Sequence, residues 1–337
     1  MPPLRLAILG CGGMARSHAS RFDSVKNRVQ IVAAVDVLPD RAKAVADLIP
    51  GCRPAQDYRQ VLDDVDAVLV VLPHHLHHPV GMDCLAHGKH VLMEKPLANT
   101  EAECLDLIAA SKKASRVLMV AYCMRFHPLV TRMKELIAAK TYGQCFQVSI
   151  WTEQHTQREP DSWMCRASTL GGGQLFSHGC HYIDILLWYL GAPVKGVHVG
   201  SNCCTPWMER EGTSNVTLTF ENGAMGYHFG TWGARGSRLR YSFHAHCEQG
   251  MIEAAISEGK LYFHQGKEAT LLMTAEAAKP TDAEMAHFLD CIETGREPIT
   301  NGPESLQGLR LIWRLYEAEE KNAIADLRGL GLAQAQR

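Results

Sequence analysis

The sequence predicts an α/β fold with a parallel sheet at its amino-terminal end, on three observations. Short apolar runs alternate with amphipathic stretches through the first 122 residues, a glycine-rich turn follows the first run, and an aspartate closes the second. Alternation of this kind implies βαβ units, with parallel strands covered by helices on both faces.

The elements follow in order. "LRLAIL" (4–9), "QIVAAV" (30–35), "DAVLVVL" (66–72) and "HVLM" (90–93) read as buried strands, with helices near 13–24, 39–48, 78–87 and 100–114. "RVLMVAY" at 116–122 reads as one further strand. After the first strand comes "GCGGMA", in which Gly10, Gly12 and Ala15 fit the G-x-G-x-x-G/A pattern and Gly13 and Met14 complete the turn. Gly10 permits the tight turn, Gly12 lets backbone approach a pyrophosphate, and Ala15 lets the helix pack closely. Asp36 ends the second strand in "VAAVDVLPD", where a carboxylate accepts hydrogen bonds from ribose hydroxyls. An acid there repels the extra phosphate of NADP and favours NAD, although nearby Arg41 leaves room for NADP; the plain alternative for Asp36 is a strand-ending turn residue.

Bulk composition narrows the remaining classes. The 337 residues are 46% hydrophobic and 21% charged, which suits about two globular domains of 150 residues each. Lys plus Arg total 34 against 36 for Asp plus Glu, so no basic field gathers nucleic acid or anionic lipid. No apolar run approaches the ~20 residues that span a bilayer. "MPPLRLAILGCGG" lacks the basic region, long apolar stretch and cleavage site of a secretory signal. The twelve cysteines are scattered, without recurring CxxC pairs at zinc spacing, and read as reduced thiols of a cytoplasmic protein.

After "DAVLVVL" the chain reads "PHHLHHPVGMDCLAHGKHVLMEKPLANT". This resembles the Gfo/Idh/MocA oxidoreductases, whose members often read T-P-N-x-x-H after this strand, then a helix, a G-K-H-V strand and Glu-Lys-Pro. "HGKHVLMEKPLA" nearly completes that pattern, ending in Glu94, Lys95 and Pro96. "AYCMRFHP" (121–128) and "GGGQLFSHGCHYIDILLWYLG" (171–191) continue the likeness, the second being similar to the family's G-G-G-x-L-x-D-x-G-x-H-x-x-D segment. The resemblance implies a Rossmann domain over 1–122, then an α/β substrate-binding and oligomerisation domain over 123–337 built on a large, mostly antiparallel sheet. Alternating stretches in 143–154, 194–202, 215–232 and 238–254, with Asn222–Gly223 suited to a hairpin, supply strands for it. The segment 304–321 has helical spacing and is expected to pack back on the body. Family members commonly associate through the sheet's outer face, so a homo-oligomer, dimer or tetramer, is expected.

The resemblance also implies an NAD-dependent dehydrogenase acting on a secondary hydroxyl of a sugar, cyclitol or related polyol. Alcohol oxidation needs a hydride acceptor and a group to take the hydroxyl proton. Imidazole, titrating near ~6.5, suits His181 for that proton, and the Lys95 ammonium suits developing alkoxide charge. The family gives these two residues catalytic roles. The plain alternatives are a solvent-facing lysine and a satisfied core histidine. Pro73, His74, His77, Glu94 and Lys95 fall on cofactor-facing positions, with His74 at the family's cofactor-contacting asparagine and Leu72 where threonine is common. Ser177 replaces the family's acid, and Cys123 stands where asparagine is common. Ser177, His178 and Asp184 are candidate substrate ligands, Asp184 alternatively orienting the histidine or capping local structure. Trp163 and Arg166 either meet substrate or anchor their loop.

Two other readings remain. One is an NAD-dependent glycosidase that oxidises transiently, eliminates and restores the hydride. The other is a non-catalytic dinucleotide sensor. The four histidines of "LPHHLHHP" raise a metal site, but Pro73 and Pro79 break any helix through them and adjacent loop residues rarely converge on a metal, so none is expected.

Overall fold

The structure, a computed structural model, describes residues 2–332. It contains two compact units, Met1–Cys123 with Pro280–Ser305, and Met124–Lys279 with Leu306–Arg337.

Unit 1 begins with β1 (Leu4–Leu9), α1 (Gly13–Ala19), β2 (Val29–Val35), α2 (Pro39–Ala46) and β3 (Arg53–Ala55). It continues with β4 (Ala67–Val70), α3 (His77–Ala86), β5 (His90–Met93), α4 (Glu101–Ala114) and β6 (Leu118–Val120). The six strands are parallel in the order β3-β2-β1-β4-β5-β6, the doubly wound arrangement with its switch between β1 and β4. Leu6, Ile8, Val68, Leu69, Val91 and Leu92 are essentially inaccessible, because strands covered on both faces have no solvent side for polar residues. α4 starts with a capping box, in which Thr100 accepts from Glu103 N and the Glu103 carboxylate accepts from Thr100 N. Several expected spans shorten: α1 stops at Ala19, with a separate 3₁₀ turn at Phe22–Val25, the strand expected over 66–72 covers 67–70, and that expected over 116–122 covers only 118–120.

Unit 2 contains α5 (Pro128–Ala138), β7 (Cys145–Glu153), α6 (Ala167–Leu170), α7 (Cys180–Leu190), β8 (Pro193–Ser201), β9 (Thr213–Phe220) and β10 (Met225–Thr231). β11 (Tyr241–Cys247), β12 (Gly250–Ala255), β13 (Lys260–Gln265) and β14 (Glu268–Thr274) follow. The chain then forms α8 (Thr281–Thr294), which belongs to unit 1, followed by α9 (Gly302–Glu320) and β15 (Ala325–Asp326). The nine-stranded sheet runs β14-β13-β12-β11-β7-β10-β9-β8-β15, antiparallel except between β7 and β10. The expected hairpin at Asn222–Gly223 joins β9 to β10, with Asn222 Oδ1 accepting from Ala224 N at 3.0 Å. α7, "CHYIDILLWYL", has ten buried residues and lies under the sheet; Tyr182 stacks on His228 of β10 with ring centroids 5.2 Å apart. Among the described residues no helix is long and apolar enough to cross a membrane.

Residues 280–305, within the 123–337 span expected for the second domain, fall in unit 1. α8 is fixed there by charge: Arg21 pairs with Asp282 at 3.2 Å, and Arg28 with Asp290 and Glu293 at 2.7 and 2.8 Å. The later part of α9 belongs to unit 2, where the Tyr316 hydroxyl accepts from Gly173 N and Phe176 N and donates to Glu211 Oε1 at 2.6 Å.

Candidate active site

The glycine turn of unit 1 is shaped by contact. Gly10 has φ +94°, and a Cβ there would lie 2.3 Å from Val71 O, so this position excludes any side chain. Gly12 and Gly13 are the opposite case: a Cβ on either meets nothing within 4 Å. They leave open space over the turn, the shallow floor a pyrophosphate needs. Asp36 sits half-buried at the end of β2 and binds the turn directly, one carboxylate oxygen accepting from Cys11 N at 2.9 Å and the other from Leu38 N at 2.9 Å. Each oxygen keeps a further lone pair for a ribose hydroxyl. Val37 and Leu38 beside it are 81% and 48% exposed, offering apolar surface to a nucleotide. The turn, the carboxylate and this surface fit a dinucleotide. Cys11 is a buried spacer, its thiol pushed up to about 12 by burial and by the Asp36 charge.

The loops after β4 and β5 hold the remaining unit 1 candidates. His77 is fully enclosed, with Nδ1 2.8 Å from Pro96 O and Nε2 2.9 Å from Leu72 O. Burial pushes its pKa down, against the opposing pull of the two carbonyls. Expected at a cofactor-facing position, it ties the β4 loop to the segment after Lys95. His74 is 4% exposed with its ring 5.5 Å from that of His77, while half-buried His78 lies 3.3 Å from Asp106. Pro73 precedes this short turn, and Met14 is half-buried at the start of α1. Glu94 is buried, with Oε1 3.0 Å from His18 Nε2 of α1 and Oε2 accepting from Lys95 N at 3.2 Å. His18 gave no sequence signal, because its partner is 76 residues away. Lys95 is half-buried and joined to Pro96 by a cis peptide.

In unit 2, Leu175–Gly179 forms a π-helical turn that runs into α7 and carries Ser177 and His178 just before His181. Such wide turns redirect side chains and recur at functional sites. Ser177, His178 and His181 are 4%, 9% and 3% exposed, and the His178 and His181 rings lie edge to face at 6.2 Å. Gln174 Nε2 donates to His178 Nδ1 at 3.3 Å, which leaves the ring proton on Nε2, 3.3 Å from the Tyr241 hydroxyl and 3.5 Å from that of Tyr182. Tyr182 also covers His228, whose pKa burial pushes down to about 3 and whose Nε2 lies 3.2 Å from the Thr152 hydroxyl. Gln174, Tyr182, Tyr241 and His228 thus join the cluster, although sequence reasoning singled out none of them.

Asp184, a candidate substrate ligand or orienting group, is met by Arg125. Both its oxygens take the Arg125 guanidinium, at 2.6 and 3.0 Å, in a pair that is 1% and 3% exposed with Arg125 over the Trp188 ring at 4.7 Å. Arg166 pairs with Glu209 at 3.0 Å on the surface, and Glu209 also accepts from Ala167 N. Trp163 packs on a cluster of Leu170, Met208 and Trp232, the loop-anchor alternative for both residues. Among the described residues no group of three or more His, Cys, Asp or Glu is placed to hold a metal ion.

Strand order, glycine turn and carboxylate together define a dinucleotide-binding oxidoreductase. The chain belongs to the Gfo/Idh/MocA family: residues 4–122 match the oxidoreductase family's NAD-binding Rossmann fold, and residues 130–253 match the GFO/IDH/MocA C-terminal domain. It is 33% identical to inositol 2-dehydrogenase of Mycolicibacterium smegmatis over 43% of each chain. It is 27% identical to D-xylose 1-dehydrogenase (NADP(+)) 2 of Haloferax volcanii, across 96% of this chain and all of that one. The crystal structure of aldose-aldose oxidoreductase from Caulobacter crescentus, complexed with glycerol, is similar at TM-score 0.84 and 28% identity, covering 96% of this chain and 100% of the other.

Proposed function

We propose that the chain oxidises a secondary hydroxyl of a sugar, cyclitol or related polyol, with NAD in preference to NADP. The bound nicotinamide supplies the hydride acceptor. Lys95 donates from Nζ to the reacting oxygen and steadies the negative charge that grows there. His181 takes the hydroxyl proton on a ring nitrogen and returns it in the reverse direction. His178 orders the polar groups around His181 through Gln174, Tyr182 and Tyr241. Gly10, Gly12, Gly13, Met14 and Asp36 hold the dinucleotide, and the Asp36 carboxylate disfavours a 2′-phosphate.

The observation that carries this reading is the buried cluster of imidazole, phenol and amide groups beside His181, an arrangement suited to ordering hydroxyls and moving one proton. Relatives named as inositol and xylose dehydrogenases support the substrate class. The test is a panel of inositols, aldoses, sugar acids and aryl glycosides, scored for NADH formation and aglycone release. NADH formation that Lys95→Ala abolishes supports the proposal, whereas aglycone release without net NADH replaces it with the glycosidase reading.

The same proposal includes self-association through the sheet face opposite α7. Trp151, Tyr227 and Phe229 form an aromatic group there, with rings 5.4–5.5 Å from Trp151, and Val199 and Met225 are 63% and 47% exposed. Light scattering that returns a dimer or tetramer, converted to monomer by Trp151→Glu, supports it; a monomeric parent protein overturns it. The free cysteines suit a reducing, cytoplasmic setting.

A further inference from the structure

Two of the twelve cysteines meet across the middle of the nine-stranded sheet. Cys145 opens β7 and Cys247 closes β11, and they stand opposite each other in the antiparallel pairing of those strands. Among the described residues no other strand pair sets cysteine against cysteine. Both side chains are buried, at 2% and 6% exposure. The ladder shifts register beside them, because Phe146 is an extra residue between the pairs His246–Gln147 and Cys247–Cys145. Glu248 and Gln249, which follow, are exposed, so the pair lies one residue from solvent at the rim of the sheet.

Opposed residues of an antiparallel pair hold their Cβ atoms ~4.5–5.5 Å apart, and a disulfide requires ~3.5–4.5 Å. The bulge already interrupts the ladder at this point, so the small closing movement is taken up locally. The two thiols are in contact, Cys145 donating a hydrogen bond to the Cys247 sulfur. That bond holds the Cys247 thiol below its ordinary range, against burial and the Glu248 charge, and the same contact holds Cys145 above its own. Burial pushes the Cys84 thiol, by contrast, up to about 12. The thiolate is the reactive form, so Cys247 is the nucleophile of the pair and Cys145 its resolving partner.

We propose that Cys145 and Cys247 are a modification site, a dithiol that hydrogen peroxide oxidises reversibly to a disulfide joining β7 to β11. The Cys247 thiolate attacks a peroxide oxygen, the O–O bond breaks, and Cys247 becomes a sulfenic acid. The hydroxide that leaves takes the Cys145 proton and becomes water. Cys145 then attacks the Cys247 sulfur: the S–S bond forms, the S–O bond breaks, and the departing hydroxide takes up the proton that Cys247 first released. Two thiols and one peroxide thus give one disulfide and two waters, with two electrons passing from sulfur to oxygen. Hydrogen peroxide is small enough to reach a nearly covered sulfur at the rim. The link closes a loop of roughly 100 residues, and cross-links that close long loops restrict the unfolded chain most. The site is independent of the oxidoreductase reading.

The test treats the full-length protein with hydrogen peroxide, unfolds it in urea while capping remaining thiols with N-ethylmaleimide, and maps its peptides by mass spectrometry without reductant. A linked pair of peptides carrying Cys145 and Cys247 should appear with the loss of two hydrogens, and dithiothreitol should remove it. The urea midpoint should rise on oxidation and return on reduction. In Cys145→Ala, dimedone should trap a sulfenic acid on Cys247. The map of the parent chain needs no substitution, so a variant that fails to fold leaves the test intact. Cys203 and Cys204, which are exposed, report unselective oxidation, and Cys203→Ser with Cys204→Ser should leave the Cys145–Cys247 link unchanged. Oxidation that falls on Cys203 and Cys204 while Cys145 and Cys247 are recovered capped overturns the proposal. So does a urea midpoint that falls on oxidation, since a link compatible with the native sheet stabilises it.

Discussion

Two stretches of this chain are rich in histidine, "LPHHLHHP" after β4 and "SHGCH" entering α7, and they use imidazole differently. In the first, His77 is enclosed between two backbone carbonyls, Leu72 O and Pro96 O. In the second, His178 meets the side chains of Gln174, Tyr182 and Tyr241 and stands beside His181. Backbone carbonyls cannot exchange protons or move far, so a histidine between them serves architecture. Phenols, amides and a second imidazole can reorient around a bound hydroxyl. The two histidines differ in their surroundings more than in their burial, since His77 and His181 are both almost inaccessible.

The sharpest way to break this comparison is substitution at each pole. His181→Ala and Lys95→Ala should each lower kcat by about 10²–10⁴ at an unchanged melting temperature, since general acid–base catalysis contributes on that scale. Asp184→Ala tests a neighbour that shares His181's helix but has an architectural partner. It should cost roughly 3–5 kcal/mol in urea denaturation because it strands the buried Arg125 charge, and Asp184→Leu with Arg125→Met should recover most of that. Stability intact in Asp184→Ala with activity lost would return Asp184 to the substrate.

Acid should reveal the buried neutral histidines. His228 is held down to about 3 and His90 to about 4, each by burial, and His77 is lowered as well. Between an unfolded value near ~6.5 and these folded values, the unfolded chain carries protons that the native chain does not. Stability is therefore fully present above the unfolded value and falls as pH drops toward 3–4, by about 1.4 kcal/mol per pH unit for each such group. Urea midpoints at pH 7.5, 6 and 5 should decline in that order, and His228→Leu should flatten the decline by one proton. A rising midpoint on acidification would contradict these environments.

Smaller effects sit in the first stretch. His77→Ala should cost about 1–3 kcal/mol by leaving buried carbonyls unsatisfied, with kcat kept in the folded fraction. His74→Asn should change NAD affinity by a few-fold and leave metal content, measured by emission spectrometry, unchanged.

Sequence pattern revealed most of unit 1, because its information is local. "HVLM" matches β5 residue for residue, and Gly10 and Asp36 lie where turn geometry and strand length require them. Partnerships across distance were not legible. The spacing of α8 marks a helix face, but only Arg21 and Arg28, more than 250 residues earlier, say where that helix docks. Both Asp184 oxygens meet Arg125, 59 residues away, a partner that no local pattern shows. The short strand β3 and the pair β13–β14 escaped because three residues carry no period, and because β14 exposes much of its length.

The most direct measurement is NADH absorbance after mixing the protein with NAD and the sugar panel, in parallel for the parent chain, Lys95→Ala and His181→Ala. NADH should form with at least one sugar or polyol and be lost in both variants. NADH formation that survives both substitutions would contradict the account.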